Sequence, residues 1–161
     1  ALEIFELRAV MDQYVGRKLA HSTNALHVKE LRQLVDAMDQ AIKAGNAQDF
    51  HRFNLKFHDR LLELTGNEKF AETYRKLVKE LSLFRRQNLN ATSMAVFSRE
   101  HRQIVKAIAA KDVDAAGQAM FQHVMNSRQR TLEHYEKTRA GPSVAPATNN
   151  TARRSSVPSG A

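Results

Sequence analysis

Apolar residues recur along this chain at intervals of three and four over six separate stretches, the period of a helix with one buried face. The first stretch runs from about Leu2 to His21, with Ile4, Leu7, Val10, Met11, Val15 and Leu19 as its stripe. Ser22, Thr23 and Asn24 offer caps for a second helix over about 25–44, whose stripe is Leu31, Leu34, Val35, Met38 and Ile42. Asn46 can cap a third over about 47–64. Asn67 can cap a fourth that carries Phe70, Tyr74, Leu77, Leu81 and Phe84 before the pattern loosens at 88–93. Ser98 opens a fifth with Ile104, Val105 and Ile108, and Asp112 caps a long sixth that reaches about Thr138. Gly45, Gly66 and Gly141 stand where helices would stop. No stretch alternates with a period of two, so the chain reads as all-α, an antiparallel bundle of about six helices.

Composition changes this picture only near the end. From Arg139 onward Gly, Pro, Ser, Thr, Ala and Asn dominate, and Pro142, Pro146 and Pro158 are the only prolines in the chain. Such a segment buries too little apolar surface to offset chain entropy, so 1–138 is expected to be one helical domain and 139–161 a disordered basic tail. The net charge of +8 would suit nucleic acid, yet four of those charges belong to the segment from Lys137 onward. In the body the two signs are interspersed, the pattern of a solvated helix surface rather than a phosphate-binding stripe. The absence of cysteine removes disulfides and thiolate ligands, leaving His, Asp, Glu, Asn or backbone oxygen for any metal. Apolar runs such as 94–97 reach four residues against the roughly 20 needed to cross a bilayer, so no membrane contact is expected. The chain also begins at Ala1 inside a helical pattern, without a Met, as a piece of a longer protein would.

Candidate chemistry lies where polar residues interrupt the apolar stripes. The third helix reads Phe50, Phe53, Asn54, Phe57, His58, Leu61, which puts Asn54 and His58 four apart on an inward face, about 6 Å from one another. In the fifth helix His101 opens the stripe of Ile104, Val105 and Ile108, and in the sixth His123 accompanies Ala116, Met120, Val124 and Ser127. One histidine on an apolar face is commonly a hydrogen-bonded core residue. Three on three helices of one bundle can instead converge, and imidazoles with an amide oxygen suit a late divalent metal. His21, His27, His51 and His134 fall at helix ends or off the stripes and read as surface residues. Arg8, beside Phe5, Leu7 and Met11, either snorkels to solvent or turns inward to meet a carboxylate; Arg85 and Arg86 offer the same two possibilities.

Two further readings compete with a metal-binding sensor. A metal-dependent helical-bundle enzyme would need a general base among the ligands, and Asp59 and Glu63 project off the apolar face. A metal-free helical interaction module would keep the histidines hydrogen-bonded in an inert core.

Several segments together resemble one family, the FCD domain, the all-helical effector-binding and dimerisation domain of FadR-subfamily GntR-type bacterial transcription regulators. They are Glu6-Leu7-Arg8, Phe53-Asn54-Leu55-Lys56-Phe57-His58-Asp59, Leu64-Thr65-Gly66-Asn67, Glu100-His101-Arg102-Gln103-Ile104, Lys111-Asp112 and Ala119-Met120-Phe121-Gln122-His123. The resemblance covers about residues 2–138. It implies a non-enzymatic, cytoplasmic, homodimeric sensor that controls operator DNA through an N-terminal winged helix-turn-helix domain not present in these 161 residues. It also implies a divalent metal, Zn²⁺ with Ni²⁺ or Mn²⁺ as alternatives, held at the positions of Asn54, His58, His101 and His123, and a small carboxylate metabolite met by Arg8. The family carries Asp where this chain has Asn54, so the resemblance implies weaker metal binding and a site more positive by one charge.

Overall fold

The computed structural model describes residues 2–85 and 91–141, with the side chains of 82–85 and 91 outside that description. Among the described residues there are six α-helices and no strand: α1 Leu2–Ser22, α2 Ala25–Lys43, α3 Ala47–Leu64, α4 Glu68–Arg85, α5 Ala91–Ala109 and α6 Val113–Ala140. Their starts follow from local chemistry. Asn24, Asn46 and Asp112 each accept the backbone N–H three residues on, and His27 closes a capping box by accepting the Asn24 N–H. Asn67 accepts the Phe70 N–H in the same way at the start of α4. Gly45 and Gly66 take left-handed conformations after α2 and α3, where a side chain would be strained. None of the described helices is long and apolar enough to cross a membrane.

Two boundaries differ from the sequence reading. Helix α5 begins at Ala91, not Ser98, because the Ser98 hydroxyl is buried inside the helix as a donor to the Asp39 carboxylate instead of capping a terminus. Helix α6 extends two residues past Thr138 to Ala140. The expected disordered tail otherwise falls on 142–161, outside the described residues, as do Asn88 to Asn90.

The inward face of α1 also differs. Leu7 and Val10 are 54% and 58% exposed, and the buried side is Phe5, Arg8, Ala9, Asp12, Val15, Gly16, Leu19 and Ala20. This helix is apolar on two opposite sides, so a count of apolar residues cannot tell the core face from the other. Packing of α1 on α6 sets the choice. At Gly16 the helices approach so closely that an added Cβ would lie 2.4 Å from the Ala116 carbonyl oxygen. The two run antiparallel, with Arg17 paired to Asp114 and Glu6 3.9 Å from Arg128. That register sets Arg8 and Asp12 on either side of the level of His123. Around this pair, α2, α3 and α5 close a core that includes Leu31, Met38, Phe50, Phe57, Leu61, Ile104, Ile108 and Met120. Phe5, Ala9, Leu81 and Val124 form a second cluster at the other end of α1.

Candidate metal and effector site

Helix α3 brings His58 to the interior, α5 brings His101 and α6 brings His123. One ring nitrogen from each lies within 4.8 Å of the others, with His101 and His123 buried and His58 half-buried. His58 Nε2 and His101 Nε2 are 3.1 Å apart, one donating and the other accepting according to tautomer. The His58 and His123 rings stack with centroids 5.3 Å apart, and Phe57 and Phe97 pack beside His101 and His123. Three of the four residues expected in a metal site are therefore brought together. Asn54 is half-buried one turn before His58 on α3.

The donor set fits a metal ion. With Zn–N distances of 2.0–2.1 Å, tetrahedral neighbours stand about 3.3 Å apart, close to the separation between His58 and His101. Neutral imidazoles favour Zn²⁺ or Ni²⁺ over Mn²⁺, which prefers carboxylate oxygen.

Glu100 was not singled out as a site residue from the sequence, yet it organises one side of this cluster. Its Oε2 lies 2.6 Å from His123 Nδ1, and it also accepts from Asn126 Nδ2 at 2.8 Å and from both terminal nitrogens of Arg130 at 3.0 and 3.1 Å. Burial pushes this carboxyl upward. The hydrogen bonds from His123, Arg130 and Asn126 more than offset that and hold it at about 2. A carboxylate on Nδ1 fixes the ring so that Nε2 is the atom left to face the other imidazoles. Arg130 in turn lies over the Phe97 ring, 4.1 Å from its centroid. The available signal was Glu100 immediately before His101, off the apolar stripe, with Asn126 and Arg130 spaced at three and seven from His123 on one helix face.

Arg8 turns inward. It is 1% exposed, and its Nε donates to the Tyr74 hydroxyl at 2.9 Å and lies 3.7 Å from Asp12 Oδ2. The Tyr74 hydroxyl hydrogen-bonds to Asp12 as well, so three buried polar groups from α1 and α4 close on one another. Burial works against the guanidinium charge, but Tyr74 and Asp12 outweigh it and the Arg8 pKa is raised; burial also pushes the Tyr74 hydroxyl up. Arg8 NH1 is buried without a hydrogen-bond partner among the described residues. Asp12 escaped the sequence reading, although it stands four residues after Arg8, the spacing of a helical ion pair, and Tyr74 was read only as part of the apolar stripe of α4. The Arg85 and Arg86 side chains lie outside the described residues. Asp59 and Glu63 pair on the surface with Arg75 at 2.8 Å and Arg60 at 3.0 Å.

The chain is thus a helical bundle with a core cluster of histidines and an inward arginine, and comparison with known proteins identifies its family. The FCD domain model matches residues 3–126, and the chain belongs to that family, the regulatory and non-enzymatic domain of GntR-type transcription regulators. The chain is 24% identical over 146 residues to the Uxu operon transcriptional regulator of Escherichia coli (strain K12), an alignment that covers 81% of this chain and 53% of that protein. The chain thus spans about half the length of that curated relative. Among solved structures it is similar to Streptococcus agalactiae GntR, with a TM-score of 0.68, 24% identity and coverage of 80% of this chain and 57% of the other. It is also similar to E. coli McbR/YncC, with a TM-score of 0.75, 14% identity and coverage of 83% and 64%. These two likenesses concern the fold.

Proposed function

We propose that this domain is the effector sensor and dimerisation unit of a cytoplasmic GntR-type regulator of the FadR subfamily. In this reading His58, His101 and His123 hold a divalent metal, Zn²⁺ or Ni²⁺ before Mn²⁺, with Asn54 as a neutral fourth donor. A small organic or sugar acid is the effector. The observation that carries the reading is the convergence of three histidines from three helices inside an FCD-family bundle, within 4.8 Å of one another. A bound ion would supply a Lewis-acidic anchor for an anionic ligand group. The chain's own part is to orient and select. Glu100 holds the His123 ring through Nδ1, Arg8 offers a buried guanidinium edge to a carboxylate, and the Phe57 and Phe97 rings pack against His101 and His123. Operator DNA would be bound by a winged helix-turn-helix domain outside these 161 residues. Effector binding would favour one dimer geometry over another by a few kcal/mol and so change the spacing of two such domains.

Elemental analysis by inductively coupled plasma mass spectrometry tests the metal. Near one transition metal per chain is expected, and loss of it in both His58→Ala and His101→Ala. A metal content unchanged by both substitutions, or none retained after loading with Zn²⁺ and Ni²⁺, would overturn the assignment. A thermal-shift panel of small carboxylic acids, compared between the parent and Arg8→Lys, tests the effector.

A further inference from the structure

Large apolar side chains exposed on this bundle are scattered singly on α2, α3 and α6 as Leu26, Leu55 and Tyr135, the ordinary condition of a protein surface. Helix α1 is different. Leu7, Val10 and Tyr14 are all exposed, spaced at three and four, and fall within a sector of about 60° opposite the buried face of Ala9, Asp12 and Gly16. The 3-4 spacing is that of a seam between two helices, and a contiguous apolar stripe on an otherwise charged surface marks an interaction site. Tyr14 also packs against Phe70 of α4, ring centroids 4.8 Å apart, which supports one end of the stripe.

The charges beside this stripe name its occupant. Glu3 lies seven residues before Val10 and Arg17 seven after it, both on the same side of the helix. Glu3 is exposed and has no ion-pair partner among the described residues; Arg17 reaches only the exposed Asp114. If a second α1 is laid antiparallel across this one about a twofold axis at Val10, Glu3 meets the partner's Arg17, with the partner's Lys18 beside it. Arg17 meets the partner's Glu3, and Leu7 packs by the partner's Tyr14. Every contact off the axis occurs twice, as an isologous interface requires. A parallel arrangement would set Glu3 against the partner's Glu3 and Arg17 against the partner's Arg17, which repel. We infer that α1 pairs with α1 of a second copy of this chain, antiparallel, centred on Val10. This rests on the dimeric reading above and goes beyond it by assigning the surface, the orientation and the axis.

The test uses the full 161-residue chain, which contains no cysteine. Sedimentation equilibrium of the parent should give a dimer. Val10→Glu places two carboxylates at the axis and should raise the dimer dissociation constant about 100-fold or more, with an unchanged helical circular-dichroism spectrum because Val10 is 58% exposed and belongs to neither core cluster. Val10→Cys treated with diamide, which takes up the two electrons and two protons of the joined thiols, should yield a covalent dimer on a non-reducing gel. Leu55→Cys, exposed on another helix, should not. A parent dimer that Val10→Glu leaves intact and that Val10→Cys does not cross-link would overturn the surface alone. A parent that stays monomeric at all concentrations would overturn the dimeric reading and the seam with it.

Discussion

At the residue scale the site is decided by a few polar side chains held where packing would favour hydrocarbon. Asn54 is the one expected ligand without charge or imidazole. Asn54→Asp should tighten Zn²⁺ binding about tenfold or more, since one added negative charge beside a dication contributes on the order of 1.4 kcal/mol even when well screened. Competition titration with a chromogenic chelator reads this, and a weaker site in the variant would remove Asn54 from the ligand shell. Glu100→Ala should weaken the metal about 10- to 100-fold by freeing the His123 ring. Glu100→Gln should recover part of that, because an amide oxygen can still accept from Nδ1. Arg8→Ala should cost stability of about 3 kcal/mol or more in urea unfolding, because it leaves Asp12 buried without its cation. At this scale the sequence was informative for residues that break an apolar stripe: His58, His101 and His123, which the structure brings together, and Arg8, which it buries, were visible as interruptions, as was Asn54, whose part as a ligand is a proposal. Asp12, Glu100 and Arg130 were not, since each lies off the stripe or reads as an ordinary surface charge until its long-range partner is known.

At the element scale, helix starts and stops follow local rules, and these were legible to within a residue or two wherever Asn, Asp or Gly did the work. Ser98 misled because a serine before an apolar run has the same look whether it caps a helix or donates across to Asp39 from within one. The packing of α1 on α6 depends on two interior glycines that the pattern of helix stops left unexplained. They are not equivalent. Gly16→Ala drives a methyl into the Ala116 backbone oxygen and, at 2.8 Å, Met120 Cγ, so the helices must part. A loss of about 2–3 kcal/mol is expected in urea unfolding. At Gly117 the obstacles are side-chain atoms rather than backbone, Arg17 Cγ at 2.7 Å and Gln13 Cγ at 3.3 Å. Gly117→Ala should therefore cost less than Gly16→Ala, as side chains give way more readily than backbone and the helix-propensity gain of roughly 1 kcal/mol offsets part of the displacement. Equal destabilisation by both would mean that the close approach is not centred at Gly16.

At the scale of the whole molecule, the all-α bundle was readable from periodicity alone, because six amphipathic segments joined by short loops leave few alternatives. What periodicity lacks is the third dimension. It cannot say which of two apolar sides of α1 faces α6, nor that Arg8, Asp12 and the three imidazoles from α3, α5 and α6 gather near one level of the bundle. Because the three imidazoles come from α3, α5 and α6, an ion held by them would tie those three helices together. Zn²⁺ at a hundredfold excess over its dissociation constant should stabilise the chain by about 2.7 kcal/mol and raise Tm by several degrees. The same addition to His101→Ala should leave Tm unchanged; an equal rise in both proteins would place the stabilising ion elsewhere.

Helix α1 carries Arg8 and Asp12 on its inner side and Val10 on its outer side, so the buried polar groups and the surface are separated there by the thickness of one helix, about 10 Å. At Gly16 the backbone of α1 lies directly against that of α6, with no room for a side chain between them. Because the chain has no thiol of its own, a single cysteine on the outer side accepts a dye at one place only. An environment-sensitive fluorophore there would turn the domain into an optical gauge of its own interior, and under the proposed function its emission should change when Zn²⁺ or a small carboxylic acid is added.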